Sequence, residues 1–193
     1  MKHALKTTAM ALMLITLTAQ AQHKRPQQQP SEKYATAVTG TNYEGYAFNE
    51  EFETDITVEN QAGRFTLSTE DIAILEKLLQ KKIAKLNHSH NHQASMDCQL
   101  IDEHLEKYKR QYIGFINYDG DKVVWVNFVR DSRFDKLLIY EIPNIKGGCS
   151  NFFSVKVNMD HRIVYDLEVN DPGDVVYTKP AVKRKYRRVS RPK

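Results

Sequence analysis

The stretch YKRQYIGFINYDGDKVVWVNFV, Tyr108 to Val129, decides the fold. Two apolar runs flank Asp119-Gly120, a dipeptide that favours a two-residue hairpin turn. Ile113 and Phe115 alternate with Tyr112, Gly114 and Ile116. Val124, Val126 and Phe128 alternate with Val123, Trp125 and Val129. A period of two marks strands, and apolar residues on both parities mean that both faces need cover. One face is expected against a helix and the other partly under the N-terminal segment.

That helix is legible upstream. Ser68 or Thr69 can cap it, and Glu70 and Asp71 suit the positive end of its dipole. Ile72, Leu75, Leu79, Ile83 and Leu86 recur at helical spacing, while Lys77, Lys81, Lys82 and Lys85 face water. The spacing predicts a helix over 69–87. Downstream, KLLIYEI (136–142), NFFSVKVNM (151–159) and RIVYDLEV (162–169) read as three more strands, the last with Ile163, Tyr165, Leu167 and Val169 inward. Asn170-Asp171-Pro172-Gly173 ends it. Upstream of the helix, Ile56–Val58 and Arg64–Leu67 are short strand candidates, and Tyr34–Phe48 is extended without a clear period. Short connections imply an antiparallel meander. The fold expected is α+β, one amphipathic helix packed on an antiparallel meander sheet of four to five strands. Cystatin-like folds share this layout by analogy, which carries no function. The glycine of Gln111-Tyr112-Ile113-Gly114 stands one place too early for the inhibitory hairpin of such proteins.

The chain opens MKHALKTTAMALMLITLTAQAQHKRP. Lys2 and Lys6 precede an apolar Ala9–Thr18 and an Ala19-Gln20-Ala21 cleavage pattern, the three parts of a signal peptide over residues 1–21. The apolar part is too short to span a bilayer. The 172 residues that follow can form one domain with a core. Residues 22–33, polar and carrying Pro26 and Pro30, read as a disordered lead-in; 34–178 as a single domain with its sheet over 108–170; 179–193 as a basic disordered tail. Export, periplasmic or secreted, is the expected localisation.

The run YKRQYIGFINYDGDKVVWVNFV, followed by GGCSNFFSVKVNMDHRIVYDLEVND, resembles a C-terminal pattern in small exported, uncharacterised proteins of Gram-negative bacteria. Their pattern is a Y-x-R-Q-Y-x-G strand, a glycine hairpin, G-G-x-x-x-F-x-V-x-V, and a final strand ending in Asn. It covers about a third of the chain, Tyr108 to Asp171. The resemblance implies fold and export, with no established activity.

Chemistry is sparse. Cys98 and Cys149 are the two cysteines, and in an oxidising compartment they are expected to pair; a free nucleophile at Cys149 in GGCSNF is the alternative. LNHSHNHQASMDCQL, Leu86 to Leu100, places His88, His90 and His92 on alternate positions. On a strand such residues share a face and could hold zinc or copper with a third ligand such as His104 or His161. The plainer reading is a solvated, histidine-rich loop. The tract is a residue short of H-x-H-x-D-H and lacks its aspartate. G-x-S-x-G, P-loop and dinucleotide fingerprints are missing. Asp119 and Asp121 are explained by turn chemistry and Asp171 and Asp174 by a strand end.

Charge is the distinctive feature. KPAVKRKYRRVSRPK, residues 179–193, holds eight basic residues and no acid. Of 28 basic residues, two lie in the leader and eight in the tail, which leaves 18 against 24 acids in residues 22–178, a net of −6. Lys183, Arg184, Lys185, Arg187, Arg188 and Arg191 are therefore candidate anion contacts. The expected function is that of a non-enzymatic exported interaction protein. Its partner is unknown, a protein or an anionic envelope or glycan component. No membrane span, no cofactor and no nucleic acid are expected. The alternative is a metal-binding protein using the histidine tract.

Overall fold

The structure, a computed structural model, describes residues 33–90, 98–101 and 104–179. The expected signal peptide, most of the lead-in, His92 and the tail from residue 180 onward lie outside the described residues. In chain order the strands are β1 (Ala35–Gly40), β2 (Tyr43–Phe48) and β3 (Gln61–Phe65), followed by the helix α1 (Thr69–His90). Then come β4 (Lys109–Asn117), β5 (Lys122–Val129), β6 (Asn144–Lys146), β7 (Phe152–Asn158), β8 (Ile163–Val169) and β9 (Val176–Thr178).

The fold is α+β, with one helix on a mostly antiparallel sheet. The sheet has seven strands in the order β1-β2-β4-β5-β7-β8, with β3 also paired to β4. It exceeds the expected four to five because residues 34–67 contribute three strands. β2 runs parallel to the first half of β4, and β3 antiparallel to its second half, so both share one edge of the same strand. β6 and β9 form a separate two-stranded ribbon. Antiparallel β4, β5, β7 and β8 are the expected meander.

Both faces of the central hairpin are covered, as its double apolar pattern requires. Tyr112, Val124, Val126 and Phe128 pack with Phe153, Val155 and Val157 under Ile72, Leu75, Leu79 and Ile83 of α1. On the other face Ile113, Phe115, Val123 and Trp125 meet Ala35, Phe48, Val58, Phe52 and Ile56 from the N-terminal segment.

Four local readings are corrected. KLLIYEI is a run of turns. Leu137 and Leu138 N–H donate to Phe134 O, and Tyr140 and Glu141 N–H donate to Leu137 O. Phe134 and Leu138 thus anchor one small core while Ile139 and Ile142 reach another, a spacing of three and four rather than two. Ile56–Val58 is irregular, and Ile56 and Val58 serve as core plugs. The hairpin turn has three residues: Asn117 N–H donates to Asp121 O, Gly120 takes φ 88°, and Asn117 Oδ1 accepts from the N–H groups of Asp119 and Asp121. In β8 the register slips by one opposite Ser154–Lys156, where Asp166 takes φ 52°. That bulge switches the inward parity, so Val164 and Leu167 are buried and Ile163 is exposed.

α1 begins with a capping box. Asp71 N–H donates to Ser68 Oγ at 3.1 Å, and Ser68 N–H donates to Asp71 Oδ2 at 3.0 Å. Partial burial of Asp71 opposes ionisation, but these bonds and Lys122 outweigh it and hold its carboxyl below the usual value. Ser68→Ala should cost about 1 kcal/mol, read as a lowered urea midpoint at unchanged slope. The helix runs to His90, three residues beyond the expected end.

Candidate functional site

The polar residues of the Tyr108–Gly114 strand are used inside the protein. Tyr108 Oη donates to Ser150 O at 3.0 Å. Arg110 is wholly buried, its Nη1 donating to Tyr108 O at 2.8 Å and its Nη2 to Asn42 O at 3.2 Å. Its Nε lies 3.0 Å from Glu76 Oε1 of α1, which also accepts from Tyr112 Oη at 2.8 Å. The Arg110 Nε contact lacks hydrogen-bond alignment, and Glu76 Oε2 has no hydrogen-bond partner. Burial pushes the Glu76 carboxyl above its ordinary value, against the opposing pull of Arg110 and Tyr112. On the opposite face, Gln111 Nε2 donates to Leu138 O (2.7 Å) and Glu141 O (2.8 Å), and its Oε1 accepts from Asn127. Gly114 completes the motif sterically: a Cβ there would lie 2.4 Å from Phe65 O. Alternate residues of one strand therefore tie α1 and the β1–β2 turn to one face and the 138–141 turns to the other. The cluster is closed to solvent and braces the fold.

Sequence reading missed Glu76. Its signal was available, because position 76 falls on the apolar stripe of α1, four residues after Ile72 and three before Leu79.

The Gly147-Gly148-Cys149 segment and Asn170 form a second brace. Asn170 Nδ2 donates to Ile145 O and Gly147 O, Gly148 N–H to Gly173 O, and Cys149 N–H to Asp171 O. Gly147 has φ 73°, and a Cβ on it would stand 2.1 Å from Asp174 O; only glycine fits both demands. Cys98 and Cys149 form a disulfide with Cα atoms 5.3 Å apart. It ties the segment after α1 to this clasp. Asp171 and Asp174 thus flank a backbone clasp.

The histidine tract is only partly described. His88 and His90 belong to the last turn of α1. His92 is outside the described residues. Exposed His104 meets Glu106 at 3.0 Å. His161 lies 3.2 Å from Asp121 at the far tips of the hairpins. Asp121 also accepts from Asn158 and Asn117, and the Asn158 bond leads in holding its carboxyl below the usual value. Among the described residues no three histidine, cysteine or acidic side chains are grouped to hold a metal ion. No described helix is long and apolar enough to cross a membrane.

The exposed surface that stands out is the outer face of α1. Lys77, Lys81, Lys82 and Lys85 are exposed, and no acidic partner for them is seen among the described residues. Lys77, Lys81 and Lys85 are four apart, so they form a row rising about 6 Å per step. Several cations elsewhere on the domain are paired: Lys33 with Glu51, Lys109 with Glu44 and Asp135, Lys122 with Asp71, Arg133 with Asp131, Lys156 with Asp166. Like charges at this spacing repel by about 0.2–0.5 kcal/mol per pair. The tail residues Lys183 to Arg191 are outside the described residues.

Comparison of the chain with known protein families, with curated proteins and with solved structures found no match.

Proposed function

We propose that this chain is an exported, non-enzymatic interaction module, periplasmic or secreted, that engages an anionic partner such as an acidic glycan of the cell envelope. The observation that carries the reading is the lysine row on α1, without an acidic partner among the described residues, set in a body of net negative charge and followed by a +8 tail. The row and the tail supply cations, and several of the body's acids are drawn into ion pairs elsewhere. The disulfide and the leader-like N-terminus support an oxidising compartment. The buried motif residues support a scaffold role, since each has an internal bonding task. A glycan is favoured over a bilayer because the apolar stripe of α1 is already buried against the sheet and cannot insert between lipids.

Retention on a heparin column tests this. Lys77→Gln/Lys81→Gln/Lys85→Gln and truncation after Thr178 should each lower the eluting salt, the truncation more. In solution titrations the log–log salt slope should fall by about one per contacting cation removed. Unchanged retention of both variants would remove the anion reading. Submicromolar zinc or copper binding, lost in His88→Ala/His90→Ala, would put the metal-binding alternative in its place.

A further inference from the structure

The two edges of the seven-stranded sheet are built differently. The β8 edge carries a bulge at Asp166 and outward acids at Asp166 and Glu168, with Asp166 paired to Lys156 across the strands. These are devices that stop another strand from adding. The β1 edge has none of them. Its six residues, Ala35-Thr36-Ala37-Val38-Thr39-Gly40, hold no charge and no proline, and they pair with β2 in unbroken register from Ala35↔Phe48 to Gly40↔Tyr43.

The direction of its free groups follows from the register. Asn49 N–H donates to Tyr34 O at 2.9 Å, so 34 and 49 form a hydrogen-bonded pair. Such pairs recur every second residue along an antiparallel ladder, at 36 with 47, 38 with 45 and 40 with 43. The N–H and C=O groups of Ala35, Ala37 and Thr39 therefore point away from β2. Among the described residues nothing pairs with them, and Thr36, Ala37 and Thr39 are exposed.

We infer that β1 is the docking edge for a second copy of this chain, joined antiparallel across a two-fold axis at Ala37. Ala37 then faces its own counterpart, Ala35 faces Thr39, and Thr36 faces Val38. All three outward residues of each copy find a partner in one register. Self-pairing of an edge is usually blocked by like charges falling opposite each other; an uncharged strand lets it proceed. The guarded β8 edge prevents growth on the other side, so the assembly closes as a dimer instead of a fibre. The inference is independent of the anion reading, which rests on a different surface.

Sedimentation velocity on the full mature chain over a wide concentration range tests it. The expected result is a reversible monomer–dimer equilibrium. Ala37→Lys sets two ammonium groups against each other on the axis and should raise the dimer dissociation constant at least tenfold, with an unchanged circular dichroism spectrum. Thr39→Lys is the second variant, should the first disturb β1, and the same loss is expected. Glu168→Lys on the other edge should leave the equilibrium where it is. A monomer at every concentration, or a dimer indifferent to both β1 variants, would overturn the proposal.

Discussion

Glu76→Leu should cost about 3–5 kcal/mol of stability, whereas Glu76→Leu/Arg110→Met should cost far less. The single change leaves a guanidinium in a site with no exposure and no counterion, and arginine cannot discharge by losing a proton. Its bonds to Tyr108 O and Asn42 O remain, but carbonyl oxygens do not neutralise it. Arg110→Met behaves differently, because the stranded group can take up a proton. Burial already raises the Glu76 carboxyl, and Arg110 is the first influence pulling it back; without Arg110 it rises further. A carboxyl whose folded value exceeds its unfolded value contributes stability that is complete below the unfolded value and is lost as pH rises through the folded one. The penalty of Arg110→Met should therefore be small in mildly acid buffer and grow toward neutral and alkaline pH. Urea denaturation of the three variants across that range decides the matter. Equal losses in all three, or a penalty for Arg110→Met that does not vary with pH, would show that the pair is not the clamp between α1 and β4.

Legibility followed the strength of the local pattern. α1 and the strands β4, β5 and β7 could be read because their apolar residues recur over many positions at one period. β1 and β2 could not, since small Thr, Ala and Gly residues give no alternation and their pairing is set by tertiary contact with β4. Leu137-Leu138-Ile139 misled because a short apolar run does not distinguish a strand from a helical turn. β8 was found, but a single bulge reversed its faces. The Y-x-R-Q-Y-x-G motif was legible as a pattern but not as a mechanism. Its meaning depends on what lies on each side of the strand, Glu76 on one and the carbonyls of Leu138 and Glu141 on the other. The lysine row was likewise visible as a solvent face, whereas its lack of counterions emerges only when the other ion pairs are placed.

Removing the disulfide, by reduction or as Cys98→Ser/Cys149→Ser, should lower stability by about 4 kcal/mol. That is the chain-entropy value for a bridge across 51 residues, and for a domain of this size it corresponds to a fall in Tm of roughly 8–16 °C. The bridge matters locally as well. Between α1 and β4 the described chain is held by the buried side chains of Ile101, Leu105 and Tyr108, and by the bond from Cys98 to a loop that Asn170 and Gly147 already fix. Without it the segment keeps its apolar anchors but loses its tether to the clasp. Proteolysis should then cut first near Cys98, ahead of global unfolding. The measurement is a thermal melt with and without reductant, paired with thiol labelling of unfolded, unreduced protein, which should find no free cysteine. Two labelled cysteines per chain, or a melt unmoved by reductant, would mean that the pair is not closed in the native protein and that the oxidising compartment has lost its main support.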